Sequence, residues 1–289
     1  MDNPNTRSNY SHRLYKKIGY FLTIIVTEVI IFYMFINFLS SEGIDYRLFL
    51  FVLPIIAFFV LQRYQKITNF VKEAHSQCNS FSIIFMILLL IFIPFLFKDN
   101  SYLLHICIMS GLYLIMALGL NIQLGSTGMV NFAFAAFFGV GAYTSALLTV
   151  NSHFSFWLGI LAAIIISALF GLLIGSLTLK STGFYYALVT MAFQIIFHLL
   201  VNNLRFTGGS GGISNIPFPT IGKHSFSSSL NIFGINLPYQ ANYYYLVLAV
   251  VLFSLYLAKR LYNSRTGLVW NAIREDEIAA KCQRANSGL

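Results

Sequence analysis

The chain has 289 residues, 57% of them apolar and 29 of them Phe, with 9% charged residues and a formal net charge of +9. With a mean hydropathy of +0.74, this composition excludes a soluble globular domain and points to a polytopic membrane protein. The apolar runs are continuous instead of alternating, which excludes a β-barrel, so the expected fold class is all-α, integral to the membrane, with about eight transmembrane helices.

A polar, basic tail occupies residues 1–17. After it come apolar runs at Ile18–Leu39, Leu48–Leu61, Phe81–Phe97, Tyr102–Leu124, Met129–Val150, Phe156–Leu179, Phe184–Leu204 and Tyr243–Ala258. Most approach the roughly 20 residues that cross about 30 Å of hydrocarbon. The first run is longer than the apolar part of a signal peptide and no small-x-small site follows it, so it reads as a retained anchor. Leu48–Leu61 is short and holds Pro54, which suits a kinked or partly inserted span. The expected organisation is a tail at 1–17, a two-helix membrane extension at 18–80, a transmembrane core at 81–258 and a cytoplasmic segment at 259–289. The longest loop, about 205–242, lies within the core.

Charge sets the orientation. With eight spans and the N-terminus in the cytoplasm, 14 of the 18 Lys and Arg fall inside and only Arg47, Lys98, Arg205 and Lys223 fall outside. This is the positive-inside distribution. It accounts for the net positive charge without nucleic acid and places the loop at 205–242 outside the cytoplasm. Cys78, Cys107 and Cys282 are isolated, with neither metal-ligand nor disulfide spacing.

Several residues stand out along the chain. Glu28 lies near the middle of the first run beside Thr23 and Thr27, where a carboxyl needs a hydrogen-bond partner or another helix. In the fifth run, Ala135/Gly139 and Gly141/Ser145 repeat small residues at four-residue spacing. Gly171 and Gly175 form a GxxxG face in the sixth, and such faces let helix backbones approach in lipid. Between the fourth and fifth runs, Gly125-Ser126-Thr127-Gly128 interrupts the helical pattern amid Asn121, Gln123 and Asn131. Irregular backbone survives at that depth only when protein or a watery cavity covers it, so the segment is either a tight inter-helix turn or part of a translocation path.

In the seventh run, Gln194, His198 and Asn202 recur at i, i+4 and i+8 and share one helical stripe. That stripe suits an inter-helix hydrogen-bond ladder or a pore wall. Thr207-Gly208-Gly209-Ser210-Gly211-Gly212 is Gly-rich but lacks the Lys-Ser/Thr ending and the strand-to-helix setting of a P-loop; a flexible connector would suit it equally. No catalytic constellation, metal motif or cofactor motif is present. Finally, Asn271–Lys281 packs three acids and two bases into eleven residues just beyond a span closed by Lys259-Arg260. A charged amphipathic helix in that place suits docking to a soluble partner.

Three segments carry a resemblance. "GLNIQLGSTGMVNFAFAAFFGVGAYTSALL", "STGFYYALVTMAFQIIFHLLVNNLRFTGGSGGISNIP" and "AIREDEIAA" resemble, in that order, the two signature regions and the cytoplasmic coupling loop of branched-chain amino acid ABC transporter permeases of the LivM type. The resemblance covers roughly Leu103–Lys281. It implies a permease subunit in a bacterial inner membrane with no ATPase activity of its own. The implied partners are a second permease of LivH type, two cytoplasmic ATP-binding subunits and a periplasmic substrate-binding protein. By resemblance, Arg274, Glu275, Glu277, Ile278, Ala279 and Ala280 would couple to an ATPase. Asn121, Gln123, Gln194, His198 and Asn202 would line the translocation path. Thr207, Gly208, Gly209, Gly211 and Gly212 would contact the binding protein, and Ala135, Gly139, Gly141, Gly171 and Gly175 would pack helices.

The family's coupling helix leads into a loop with a Gly and then further spans, whereas here Lys281 is followed by Cys282 to Leu289, with Arg284 where the Gly is expected. The expectation is therefore a chain shortened at its C-terminus. Import of urea or a short amide, or a non-transporting remnant, stand as alternatives. The charge distribution makes a direct prediction. A thiol reagent applied from the periplasm should label Ser210→Cys and miss Asn9→Cys, and the reverse pattern would overturn the topology.

Overall fold

The computed structural model describes residues 4–41, 43, 45–46, 48–49, 52–54, 63–152, 154–178, 183–222, 224–232 and 234–275. Among them, seven helices are long and apolar enough to cross a membrane. The protein is thus an all-α polytopic membrane protein, as composition requires. The short run expected at Leu48–Leu61 falls largely outside the described residues. Two compact units divide the chain, Met1–Leu103 and Leu104–Leu289.

The first unit holds α1 (Pro4–Ser40), α2 (Gln65–Gln77) and α3 (Asn79–Leu96). Tyr20 and Ile24 of α1 and Ala74 of α2 are buried together, with Phe70, Cys78 and Phe81 packed against them. The Tyr20 and Phe70 rings lie 5.2 Å apart, and Phe21 meets Phe81 edge to face at 4.7 Å, the geometry that ring quadrupoles favour. The hydroxyls of Thr23 and Thr27 donate to the carbonyls of Gly19 and Thr23, each at 2.8 Å, so neither is left bare in an apolar surrounding. Glu28 is buried and accepts a hydrogen bond from Ser82 of α3.

The second unit begins within α4 (Ser101–Leu120), which runs into a π-helical turn at Asn121–Gly125. After an irregular stretch come α5 (Phe134–Asn151), α6 (Phe156–Thr178) and α7 (Gly183–Asn203). A loop with two hairpins then leads to α8 (Gln240–Tyr262) and α9 (Arg265–Glu275). Small residues set the spacing of these helices, because lipid removes the hydrophobic drive for helices to associate. A Cβ on Gly159 of α6 would lie 2.9 Å from Ser145 Oγ of α5, and one on Gly141 would lie 3.3 Å from Ser167 Oγ of α6. On α5, a Cβ on Gly139 would collide with the Phe197 ring of α7. Gly111 of α4 meets Val247 of α8 in the same manner.

Not every small residue stands where a larger one would clash. Ala135 is exposed, and a Cβ on Gly171 or Gly175 would meet nothing within 4 Å.

The long loop is built, not slack. Strands β1 (Thr220–Ile221) and β2 (His224–Ser225) pair antiparallel, as do β3 (Leu230–Ile232) and β4 (Ile235–Leu237). Trp157 Nε1 at the start of α6 donates to the Thr220 carbonyl at 2.9 Å. Asn242 Nδ2 at the start of α8 donates to the Ser228 carbonyl at 3.0 Å, and Phe226 stands edge to face on Tyr243. The loop thereby fixes the starts of α6 and α8 on one face.

The glycine contacts separate two kinds of position. Gly139→Leu should drive into Phe197 and lower the thermal stability of the purified chain by about 1–3 kcal/mol. Gly171→Leu should leave it unchanged or raise it. Equal tolerance at both positions would contradict the packing described for α5 and α7.

Candidate functional site

The polar residues between α4 and α5 close a break in the helical backbone. Over Asn121–Gly125 the ladder widens to a π-helix, a form concentrated at functional positions. Gly128 then takes φ +74°, a left-handed conformation that a side chain disfavours, and the chain runs without regular structure until α5 begins at Phe134.

Such a break exposes amide groups that water would satisfy elsewhere, and here side chains do so. Asn131 Nδ2 donates to Gln123 Oε1 at 2.8 Å, while Asn131 Oδ1 accepts from the Ala133 N–H at 2.7 Å. Gln123 Nε2 donates to the Tyr186 hydroxyl of α7. The Phe132 N–H donates to Thr190 Oγ1 at 3.1 Å, and the Ala136 N–H donates to Gln194 Oε1 at 2.7 Å. Asn131 and Thr190 are buried at 8% and 0% exposure, so these bonds replace water instead of competing with it. The first turn of α5 is thus capped from α7.

Tyr186, Thr190 and Gln194 stand four residues apart and so share one face of α7. They extend the expected Gln194/His198/Asn202 stripe backward by two turns. Tyr186 and Thr190 escape a sequence reading because each looks ordinary in an apolar run; the four-residue spacing upstream of Gln194 is the signal that finds them. Asn131, also missed as a site residue, is the hub of the network.

The five residues expected along one path fall in three places. Gln123 and Gln194 both serve the break. His198 Nε2 and Asn202 Nδ2 pair with each other at 3.0 Å on an exposed stretch toward the other end of α7. Asn121 opens the π turn, and the Cβ of an alanine at Gly125 would sit 2.8 Å from its Oδ1.

There it lines a cavity of about 520 Å³ with Gly125, Ser126, Lys259, Trp270 and Arg274. Arg274 of α9 donates from Nη1 to the Gly125 carbonyl at 2.5 Å. Its neighbour Glu275 is exposed. Glu277, Ile278, Ala279 and Ala280 lie outside the described residues. The π turn, the end of α8 and α9 therefore meet at one end of the second unit.

At the opposite end, Thr207 is buried and its hydroxyl donates to the Val201 carbonyl at 2.7 Å. The Gly209 N–H donates to the Leu204 carbonyl at 3.1 Å. Gly208 and Gly212 hold φ of +79° and +68°. Thr207–Gly212 thus forms a compact closure for the end of α7.

Comparison with known proteins adds independent findings. Residues 102–285 match the family model described as branched-chain amino acid transport system / permease component. The chain is 37% identical over 201 residues to the high-affinity branched-chain amino acid transport system permease protein LivM of Salmonella typhimurium strain LT2, covering 65% of this chain and 47% of that protein. It is 35% identical over 201 residues to the protein of the same description from Escherichia coli strain K12, with the same shares of each. The chain spans about half the length of these curated relatives. No solved structure matches it.

The two halves of the polar stripe should respond differently to substitution. Gln194→Leu leaves the buried Ala136 N–H without its acceptor and should cost about 1–3 kcal/mol in thermal unfolding of the chain in nanodiscs. His198→Leu removes only an exposed pairing and should cost less than about 0.5 kcal/mol. Equal losses would contradict the division of the stripe.

Proposed function

Since this chain belongs to the branched-chain amino acid transport permease family, we propose that it is a membrane-embedded permease subunit of an ABC importer for branched-chain amino acids in a bacterial inner membrane. It supplies part of a pore, and partner subunits hydrolyse ATP. The observation that carries this reading is the helix break at Asn121–Ala133. It places irregular, polar-lined backbone at membrane depth and beside α9, the start of the segment that resembles a coupling loop.

The partners are those the resemblance implies: a LivH-type permease, two cytoplasmic ATP-binding subunits and a periplasmic binding protein. On α6 a Cβ at Gly171 would meet nothing within 4 Å, which suits close packing of that face against the second permease. Outside the membrane, the closure at Thr207, Gly208, Gly209, Gly211 and Gly212 meets the binding protein. On the cytoplasmic side, Glu275, Glu277, Ile278, Ala279 and Ala280 present acids and small residues to a groove of an ATPase.

Transport then alternates access. Substrate moves beside the polar positions Asn121, Gln123, Gln194, His198 and Asn202, and neutral polar walls hold a zwitterion weakly enough to release it. ATP binding drives the change through contacts that differ between the two states.

Uptake tests this reading. A deletion strain expressing the chain with its partners should accumulate labelled leucine and not labelled urea; urea uptake alone would move the assignment to amide transport. Glu277→Arg, which sets like charges against a basic groove, and Ala279→Trp, which overfills it, should both abolish ATPase co-purification while leaving membrane insertion unchanged. An unmutated chain that recruits no ATPase would contradict the importer reading.

A further inference from the structure

We infer that Arg274 is a positioning residue that fastens the cytoplasmic segment to the broken end of α4 and carries its displacement into the break. The inference rests on the import reading and specifies how that site is controlled.

The contact joins segments 149 residues apart in the chain. Gly125 is the last residue of the π turn and lies in the last turn of this helical stretch, which ends at Thr127, where carbonyls lose their regular partners. A guanidinium bonded to such a carbonyl makes a charge-assisted hydrogen bond, stronger than a neutral one. Arg274 Cγ also lies 3.5 Å from the place of a Cβ on Gly128, so the stem of the side chain crosses both glycines that frame the break. The Arg274 guanidinium thus bonds the chain's own Gly125 carbonyl although the residue, like Glu275 next to it, is exposed.

The rest of α9 has the form of a lever. Its first turn is held tightly: the Gly267 N–H donates to Ser264 Oγ at 3.2 Å, and the Leu268 N–H donates to the Ser264 carbonyl at 3.1 Å. Gly267 is buried, and a Cβ there would fall on the backbone carbonyls of Leu261 and Tyr262, so this end is pinned to the end of α8. From Gly267 to Arg274 the helix advances about 10 Å at 1.5 Å per residue. The cavity of about 520 Å³ lies along this stretch, lined by Trp270 and Arg274 on one side and by the π turn on the other. A helix pinned at one end, tied at the other and bordered by open space can tilt without unfolding.

The tie then leads inward through bonds already described. Gln123, two residues before Gly125, holds Asn131 and Tyr186, and Asn131 holds the start of α5. A tilt of α9 therefore pulls on the group that joins α4, α5 and α7.

Two measurements on Arg274→Ala and Arg274→Lys test this. In the purified full chain in nanodiscs, Arg274→Ala should speed amide exchange across residues 121–131 by about tenfold, the scale of one charge-assisted hydrogen bond. Arg274→Lys, which can still donate to the carbonyl, should stay near wild type. In the complex reconstituted with ATPases, second permease and binding protein, Arg274→Ala should retain ATPase co-purification and ATP hydrolysis. Leucine uptake per ATP should fall about tenfold, and Lys should restore it in part. Unchanged exchange, or unchanged uptake per ATP, would overturn the inference. Loss of ATPase from the complex would make Arg274 a docking residue and overturn it as well. A wild-type chain that binds no ATPase removes the import reading and the coupling role with it, while the exchange measurement still decides whether the tie exists.

Discussion

Hydrocarbon offers no water to an interrupted helix, and every backbone group at that depth must find its partner within the protein. This constraint governs the second unit. The backbone widens to a π-helix at Asn121–Gly125, leaves helical form at Gly128 and resumes it at Phe134, and the N–H groups of Phe132, Ala133 and Ala136 are met by Thr190, Asn131 and Gln194. Because two of those three acceptors stand on α7, the break and α7 hold each other in register. The near approach of Gly139 to Phe197 follows from the same alignment. Removing the polar partners would leave orphaned amides in lipid, where association has no hydrophobic drive to compensate.

The same capping decides what the break can and cannot do. An open helix N-terminus attracts anions, but the start of α5 is already filled by Asn131 and Gln194 side chains. Its polar groups therefore serve first to hold the break in shape. What remains open is the cavity beside Asn121 and Arg274. The helix ends of this unit sort into two sides. The π turn, the end of α8 and α9 share one end, while the hairpin loop ties the starts of α6 and α8 at the other.

How much of the site was legible depends on how local its physics is. Gln194 shows itself because a lone amide in an apolar run is costly anywhere in a membrane. Tyr186 and Thr190 do not, since each is common in spans and acquires meaning only from the bond it makes. Grouping Asn121, Gln123, Gln194, His198 and Asn202 by polarity alone merges three environments. The helix turns about 100° per residue, so steps of four drift steadily around it, and His198 and Asn202 pair with each other on an exposed stretch while Thr190 and Gln194 bond the break. For the small residues the outcome was similar. A Cβ on Gly139 or Gly141 would press on a neighbouring helix, while one on Gly171 or Gly175, with the same spacing signature, would meet nothing within 4 Å.

By itself the sequence determined the fold class, because span length and apolar continuity are additive along the chain, and it pointed to the family through three resembling segments; the Lys/Arg distribution implies an orientation. The sequence also located the break, since Gly125 and Gly128 amid polar residues interrupt any helical period. Only the tertiary structure decided which groups satisfy that break and where Arg274 points. Both depend on partners far away in sequence, 58 residues between Gln194 and Ala136 and 149 between Arg274 and Gly125. Such pairings follow from how whole helices pack, and no local pattern encodes them.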